Sequence, residues 1–391
     1  MPRPVAILGS TGSIGENTLR VIADNPDRFE VTALAAGANW EKLAEQAHLF
    51  SPRLVSIADP SSGKYLREIL PVGIRVLSGE EGLCEVAAGS GAEVVVSALV
   101  GAAGLAPTLA AIEVGAAVAL ANKEVLVMAG ELVIKRARER SLPLLPIDSE
   151  HAGVFQILKG QAVGTAVDRV ILTASGGPFR DHPIGALRDV SRDAALRHPT
   201  WKMGPKITID SASLMNKGLE LIEARWLFGL APEQVDVLIH PESVVHALVE
   251  FVDGSVLAQM SVPDMRISIS QALCYPDRVP CQAPRLDLAK SGSLTFGKPD
   301  PARFPCLSHA KAALVDGGTS PAVLNAANEV AVAAFLDMQI GFMDIPALVG
   351  TAMDNHRNEK AESLEAVMEA DRWAREFTAS RVNGTKNYVS S

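Results

Sequence analysis

Paired cysteines, a positive charge balance, an uninterrupted apolar span and internal repeats are all missing from this chain of 391 residues. Its four cysteines, Cys84, Cys274, Cys281 and Cys306, show neither a redox CxxC nor the paired spacing of a zinc site. The expectation is reduced thiols in a cytoplasmic protein. A net charge of −9 argues against nucleic-acid and anionic-membrane partners, both of which select a basic surface. It leaves room for a small anionic substrate, which needs only a locally positive pocket. The uncharged stretch 94–112 approaches the length of a membrane span, but Gly101, Gly104 and Pro107 divide it into a strand, a loop and a helix start. No signal peptide is expected either, because a structural motif already begins at Val5.

What is present is an ordinary globular composition, with 48% hydrophobic and 21% charged residues, in a chain long enough for two or three domains. Over 1–146, short apolar runs alternate with helical patterns: "VAILG", "FEVTALAAG", "LVSIAD", "EVVVSAL", "AVALAN" and "LPLLPI" read as strands. Repeated strand–helix units predict a parallel sheet covered on both faces. Near residue 165 the pattern changes. "VDRVILTASGG" reads as a strand, and 244–262 reads as a hairpin with Asp253-Gly254 as a two-residue turn. Residues 276–306 read as a Pro- and Gly-rich connector, and the chain from about 307 reads as helical, with a frayed tail from Asn383. The expected fold is α/β: a Rossmann-like doubly wound sheet, a central α+β domain and a C-terminal helical bundle. The expected boundaries are 1–147, 148–280, a connector at 281–306, and 307–391.

"AILGSTGSIGENTLRVI" places Gly9, Gly12 and Gly15 between a strand and a helix. Glycines there admit a pyrophosphate close to the backbone, and the helix start points N–H groups at it. Ser10, Thr11 and Ser13 add hydroxyls. An NAD-preferring site ends its second strand with an acid that holds the ribose 2′-hydroxyl. Here the position reads Gly37, Ala38, Asn39, so a 2′-phosphate is not repelled and NADPH is favoured.

Ligands of doubly wound sheets bind beyond the carboxyl ends of the strands. Asn122, Lys123 and Glu124 follow one such end; Asp148, Ser149 and Glu150 follow another. Either group admits a plainer reading, a solvated lysine or a helix cap, but two at one edge favour a site. A helix from about Ala212 would stack Asn216, Lys217 and Glu220, as phosphate donors and a cation ligand or as a surface ion pair. Ser175 beside two glycines suits a small anion or an ordinary turn. "RHPTWKMGPK" sets His198, Trp201, Met203 and Gly204 in a loop that is either a water-excluding lid or packed on its domain.

In order along the chain, "GSTGSIG", "ANKE", "DSEH", "SGGPFR", "HPTWKMG", "DSASLMNKGLELIEARWLF", "HPESVVHA", "VPDMR" and "LNAANE" resemble the 1-deoxy-D-xylulose 5-phosphate reductoisomerase family. The resemblance implies an NADPH-dependent enzyme, active with Mg²⁺ or Mn²⁺, that rearranges and reduces this phosphorylated sugar to 2-C-methyl-D-erythritol 4-phosphate for non-mevalonate isoprenoid synthesis. It also implies a homodimer. By the same resemblance Asp148, Glu150 and Glu220 are metal ligands, and Ser175, Ser211, Asn216 and Lys217 hold the substrate phosphate. Lys123, Ser149 and His198 contact substrate, while Trp201 and Met203 form a lid with Met265 nearby. Thr11, Gly12, Ser13, Ile14, Gly37, Asn39, Asn122, Glu124 and Gly204 match cofactor positions. Lys123, Glu150 and His198 carry the catalytic expectation. Two departures stand out: Ala38 replaces a basic residue of several relatives, and Ala152 replaces a frequent Asn. His151 is expected to support the ligands. Two other classes remain to be separated: a metal-free NADP dehydrogenase and a non-catalytic NADP-sensing protein.

Overall fold

A computed structural model of the chain describes residues 1–159, 166–201 and 203–389, and divides it into two compact units. The first unit comprises Met1–Val125, Val133–Ala152 and Asp264–Pro284. Its strands are β1 (Arg3–Leu8), β2 (Phe29–Ala36), β3 (Leu54–Ile57), β4 (Arg75–Ser78), β5 (Val94–Ser97), β6 (Ala117–Leu120) and β7 (Leu144–Pro146). They form one parallel sheet in the order β4-β3-β2-β1-β5-β6-β7. Helices α1 (Ser13–Ala23), α2 (Trp40–Phe50), α3 (Pro60–Ile69), α4 (Gly79–Ala88), α5 (Leu105–Glu113) and α6 (Glu124–Glu139) make the crossovers. A sheet covered on both faces needs apolar residues on both sides of each strand. Val5–Leu8 and Val94–Val96 accordingly show no exposure at all.

The chain order reverses between β1 and β5, which is where such a sheet opens a crevice. The turn after β1 lies against the end of β5. Gly9 takes φ +88°, and a Cβ there would come within 2.4 Å of the Ala98 carbonyl oxygen. A Cβ on Gly15, in the first turns of α1, would come within 2.3 Å of the Gly9 oxygen. Glycine is therefore required at both positions by contact with backbone, which cannot move aside.

The second unit holds the described residues of Leu126–Leu132, Gly153–Pro263 and Arg285–Ser391. Helix α7 (Ser149–Leu158) precedes β8 (Val167–Ala174); α8 (Pro205–Ala212) and α9 (Met215–Phe228) follow; then come β9 (Val235–Ile239), β10 (Val245–Phe251) and β11 (Val256–Met260). The sheet runs β11-β10-β8-β9, with β8 and β9 parallel and the other pairs antiparallel. Helix α10 (Met265–Cys274) returns to the first unit, against α1. Helices α11 (Pro305–Asp316), α12 (Ser320–Leu336), α13 (Asp344–Asn355) and α14 (Leu364–Val389) complete the second. Val170, Leu172, Leu219, Leu221, Val323 and Leu324 are part of its single apolar core. No described helix is long and apolar enough to cross a membrane.

The α/β architecture expected from the strand–helix alternation is the one observed, with three local corrections. The hairpin turn has three residues: Phe251 pairs with Ser255, the Gly254 N–H donates to the Phe251 carbonyl at 2.8 Å, and Gly254 lies at φ +81°. That is a three-residue loop closed by a left-handed glycine, a common hairpin connection. The helix expected from about Ala212 begins at Met215 as α9; a separate helix, α8, ends at Ala212, and Leu214 between them has φ +57°. The tail continues as helix through Val389; the last two residues lie outside the described set. β4 and β9 were not among the strands read from the sequence.

The replacement Gly9→Ala is expected to lower unfolding free energy by about 1–3 kcal/mol, the usual range for a side chain forced into a left-handed conformation. Urea denaturation measures it, and an unchanged midpoint would contradict the required close approach.

Candidate functional site

In the first unit the polar residues collect where β6 and β7 end. Asn122 and Lys123 follow β6 directly, and Glu124 opens α6. The Asn122 amide donates to Glu124 Oε2 at 2.5 Å and to the Gly101 carbonyl at 3.2 Å. A Cβ on Gly104 would overlap the Asn122 side-chain oxygen at 1.6 Å, so this glycine makes room for the amide. Gly101 and Gly104 carry no site role in the sequence reading, where they only divide the stretch 94–112. Their signal, two glycines closing the apolar run after β5, was legible only as an interruption.

Lys123 and Asp148 form an ion pair at 2.8 Å with side chains only 10% and 14% exposed. Water screens such a pair poorly, so it is not the solvated surface lysine of the plainer reading. Asp148 also stands before the first turn of α7: its Oδ1 accepts from the Glu150 backbone N–H at 3.4 Å, and its carbonyl accepts from Ala152 at 2.8 Å. The Ser149 hydroxyl donates to the Glu150 carboxylate. His151 is fully buried, with Nδ1 4.0 Å from Asp148 Oδ1. Helix capping and presentation of two carboxylates at a strand end thus coexist in the same residues.

Thr11, Gly12, Ser13 and Ile14 lie at the start of α1, where a helix leaves backbone N–H groups without intrahelical partners. At the end of β2, Asn39 caps α2 by accepting from the Lys42 N–H at 3.0 Å. The Lys42 ammonium is engaged by Glu16 of α1. The end of β2 therefore carries no acid, and the nearest lysine of α2 already has an acidic partner.

In the second unit, His198 joins two serines that lie far apart in sequence. Its Nε2 is 3.1 Å from Ser175 Oγ and 3.0 Å from Ser211 Oγ. Its Nδ1 accepts from the backbone N–H groups of Thr200 at 3.1 Å and Trp201 at 2.9 Å. Two donors aimed at Nδ1 leave the ring proton on Nε2, where it can be given to a serine oxygen. Burial pushes the imidazole pKa down to about 4, so the ring is neutral near pH 7. Ser175 sits in a tight turn: Gly176 and Gly177 have φ +83° and +66°, Gly177 donates to Ser175 Oγ at 3.2 Å, and Arg180 donates to its carbonyl at 3.1 Å. Arg180, quoted within "SGGPFR" but given no role, is the residue that sequence reasoning missed here.

Helix α9 stacks Asn216, Lys217 and Glu220 as the spacing predicts. Asn216 donates to Glu220 Oε1 at 2.5 Å, and Lys217 pairs with Glu220 Oε2. Lys217 and Glu220 are 3% and 1% exposed, which removes the surface-pair reading. A buried pair of this kind has paid a desolvation cost that a surface pair avoids. Trp201 and Met203 are half-buried, the Trp201 ring lies 6.4 Å from His246, and Gly204 caps α8. Met265 opens α10 in the first unit.

Comparison with known proteins accounts for nearly the whole chain. Residues 5–130 match the sequence profile of 1-deoxy-D-xylulose 5-phosphate reductoisomerase, 144–228 its C-terminal domain, and 260–377 the DXP reductoisomerase C-terminal domain. The enzyme of that name from Heliobacterium modesticaldum is 54% identical over 385 residues, covering 98% of each chain. That from Trichlorobacter lovleyi is 50% identical over 374 residues, covering 95% of this chain and 96% of its own. Among solved structures, the Zymomonas mobilis reductoisomerase in complex with NADPH is 45% identical with a TM-score of 0.91, covering 98% and 99% of the two chains. A reductoisomerase in complex with NADPH, fosmidomycin and magnesium is 41% identical with a TM-score of 0.93, over the same shares. With close relatives at this identity along almost its full length, the chain belongs to the 1-deoxy-D-xylulose 5-phosphate reductoisomerase family.

Proposed function

We infer that this protein converts 1-deoxy-D-xylulose 5-phosphate to 2-C-methyl-D-erythritol 4-phosphate, using NADPH and a divalent metal ion, as a step of non-mevalonate isoprenoid synthesis. Membership of the family carries the reading. The polar groups at the ends of β6 and β7, and the Ser175–His198–Ser211 cluster, supply chemistry suited to it.

The glycine-lined turn between β1 and α1 suits a dinucleotide, since it leaves a bare backbone at the crevice. We assign Thr11, Gly12, Ser13, Ile14, Gly37, Asn39, Asn122, Glu124 and Gly204 to NADPH. Asp148, Glu150 and Glu220 offer hard oxygen donors and no thiolate, a set suited to Mg²⁺ or Mn²⁺, and we assign them to the metal. When bound, the cation polarises substrate oxygens and stabilises developing negative charge, and NADPH supplies the hydride.

The protein's own groups do the rest. Lys217, Asn216, Ser175 and Ser211 hold the phosphate, and this remote binding orients the reacting carbons. Lys123, paired with Asp148, places a positive charge beside the oxygen on which negative charge develops. Ser149 and His198 orient hydroxyls, and the loop bearing Trp201 and Met203 excludes water. The proposed division of labour is 1–147 for NADPH, 148–280 for catalysis and dimerisation, 281–306 as connector and 307–391 as helical support. A homodimer is supported by β11, an edge strand whose Val256 and Leu257 are about half exposed. The low cysteine content and acidic balance support a cytoplasmic location.

Turnover is measured as loss of NADPH absorbance at ~340 nm with the sugar phosphate as substrate. It is expected to need Mg²⁺ or Mn²⁺ and to fall by at least about 10²-fold in Glu220→Gln. Undiminished turnover in chelator would restore the metal-free dehydrogenase, and NADPH binding without any turnover would restore the sensing protein. Replacing Ala38 with Arg is expected to tighten NADPH binding about tenfold and leave NADH binding unchanged, since only the former offers a 2′-phosphate. Cofactor fluorescence titration of the protein without substrate measures both.

His198 makes a third prediction. Its folded pKa lies below its ordinary value of 6.5, at about 4. The unfolded chain therefore binds the proton first on acidification. The stability contributed by the neutral ring is complete above about pH 6.5 and is lost progressively toward pH 4. An NMR titration, with the signal assigned by its loss in His198→Gln, is expected to show no midpoint above about pH 5. A midpoint near the ordinary value would contradict the buried neutral ring.

A further inference from the structure

Helix α8 is two turns long and carries Ser211, one of the two hydroxyls at His198. The residue before it, Asp210, is an acid with 1% exposure. One oxygen of Asp210 accepts from the Asn328 amide at 2.8 Å, and the other lies 2.9 Å from the Lys206 ammonium one helical turn earlier. Asn328 is fully buried in α12, 118 residues further along the chain.

The same helix, α12, carries a second polar group that reaches the last helix. Asn325, one turn before Asn328 in α12, donates to Glu329 at 2.9 Å. Glu329 pairs with Arg375 of α14 at 2.7 Å, and Arg375 pairs with Asp371 at 2.7 Å. The "LNAANE" segment thus links the last helix, through α12, to the helix that presents Ser211.

Successive residues of an α-helix point about 100° apart. Turning Asp210 inward to Asn328 therefore sets the direction in which Ser211 leaves the helix. Ile209 and Ala212 bury the apolar side of α8 in the core, and the loop preceding it ends at the exposed Gly204. Burial of that apolar side sets the rotation broadly. A carboxylate meeting an amide narrows it at the residue beside Ser211, since the hydrogen bond weakens steeply away from its preferred geometry.

We propose that Asp210 and Asn328 are positioning residues of the reductoisomerase site: their buried hydrogen bond fixes the rotation of α8 and so holds Ser211 for the substrate phosphate. The proposal rests on the reading of Ser211 as a phosphate ligand. It gives the C-terminal helices a part in substrate binding that acts through α8.

The test compares Asn328→Leu, which keeps the volume and removes the donor, with the exchanged pair Asp210→Asn/Asn328→Asp and with Ser211→Ala. Asn328→Leu is expected to raise the substrate KM about tenfold, the effect of losing one hydrogen bond to a charged group. The KM for NADPH should stay unchanged, and the inhibition constant of inorganic phosphate should rise in parallel with the substrate KM. The exchanged pair can form the same bond in reverse and is expected to return the substrate KM to within about threefold of the parent. A folded Asn328→Leu with parental substrate KM, while Ser211→Ala raises it, overturns the positioning role. If Asn328→Leu does not fold, the exchanged pair decides: a folded exchanged protein with a substrate KM still raised about tenfold overturns the proposal as well. An unchanged substrate KM in Ser211→Ala overturns instead the phosphate reading beneath it.

Discussion

All seven strands of the first unit run in the same direction, and this constraint decides where its chemistry lies. A parallel sheet places every strand-to-helix turn on one edge. The apolar residues that bury the strands cannot serve a polar ligand, so polar groups accumulate just beyond the strand ends. Asn122, Lys123, Asp148, Ser149 and Glu150 all stand there. So does the Gly9 turn, at the point where the strand order reverses. The helices that start at this edge present N–H groups, and their first residues double as caps.

The charged residues of the candidate site are buried with their counterparts and hydrogen-bond partners already in place. Lys123 holds Asp148, Lys217 and Asn216 hold Glu220, and the Ser149 hydroxyl meets Glu150. An isolated buried charge would be costly enough to neutralise itself, whereas paired charges keep their ionised forms. Asp148 and Glu220 thus each stand beside a lysine ammonium.

Much of this was legible in the sequence, for physical reasons that differ by residue. Gly9 and Gly15 stood out because a phosphate loop needs bare backbone, and their close contacts with Ala98 and Gly9 are the geometric counterpart. Asn216, Lys217 and Glu220 were legible because helical spacing is periodic. The break at Leu214 was not, since a leucine in the left-handed region carries no local signal of its own. Nor was the approach of Ser175 to Ser211 through His198, which joins a turn, a loop and a helix through tertiary contact alone. Asp210 and Asn328 could be quoted within motifs but not paired, because nothing in a linear pattern brings together residues so far apart.

The two backbone N–H groups aimed at His198 Nδ1 come from Thr200 and Trp201, inside the loop that carries the indole. The ring's proton is thereby tied to the loop's shape. While both amides face Nδ1, that nitrogen accepts and Nε2 donates toward the serines. A loop conformation that withdrew the amides would remove the preference, and the imidazole could present a lone pair to the serines. The location of a single proton thus records the backbone conformation of a whole segment, and an isotope label on one ring would read it.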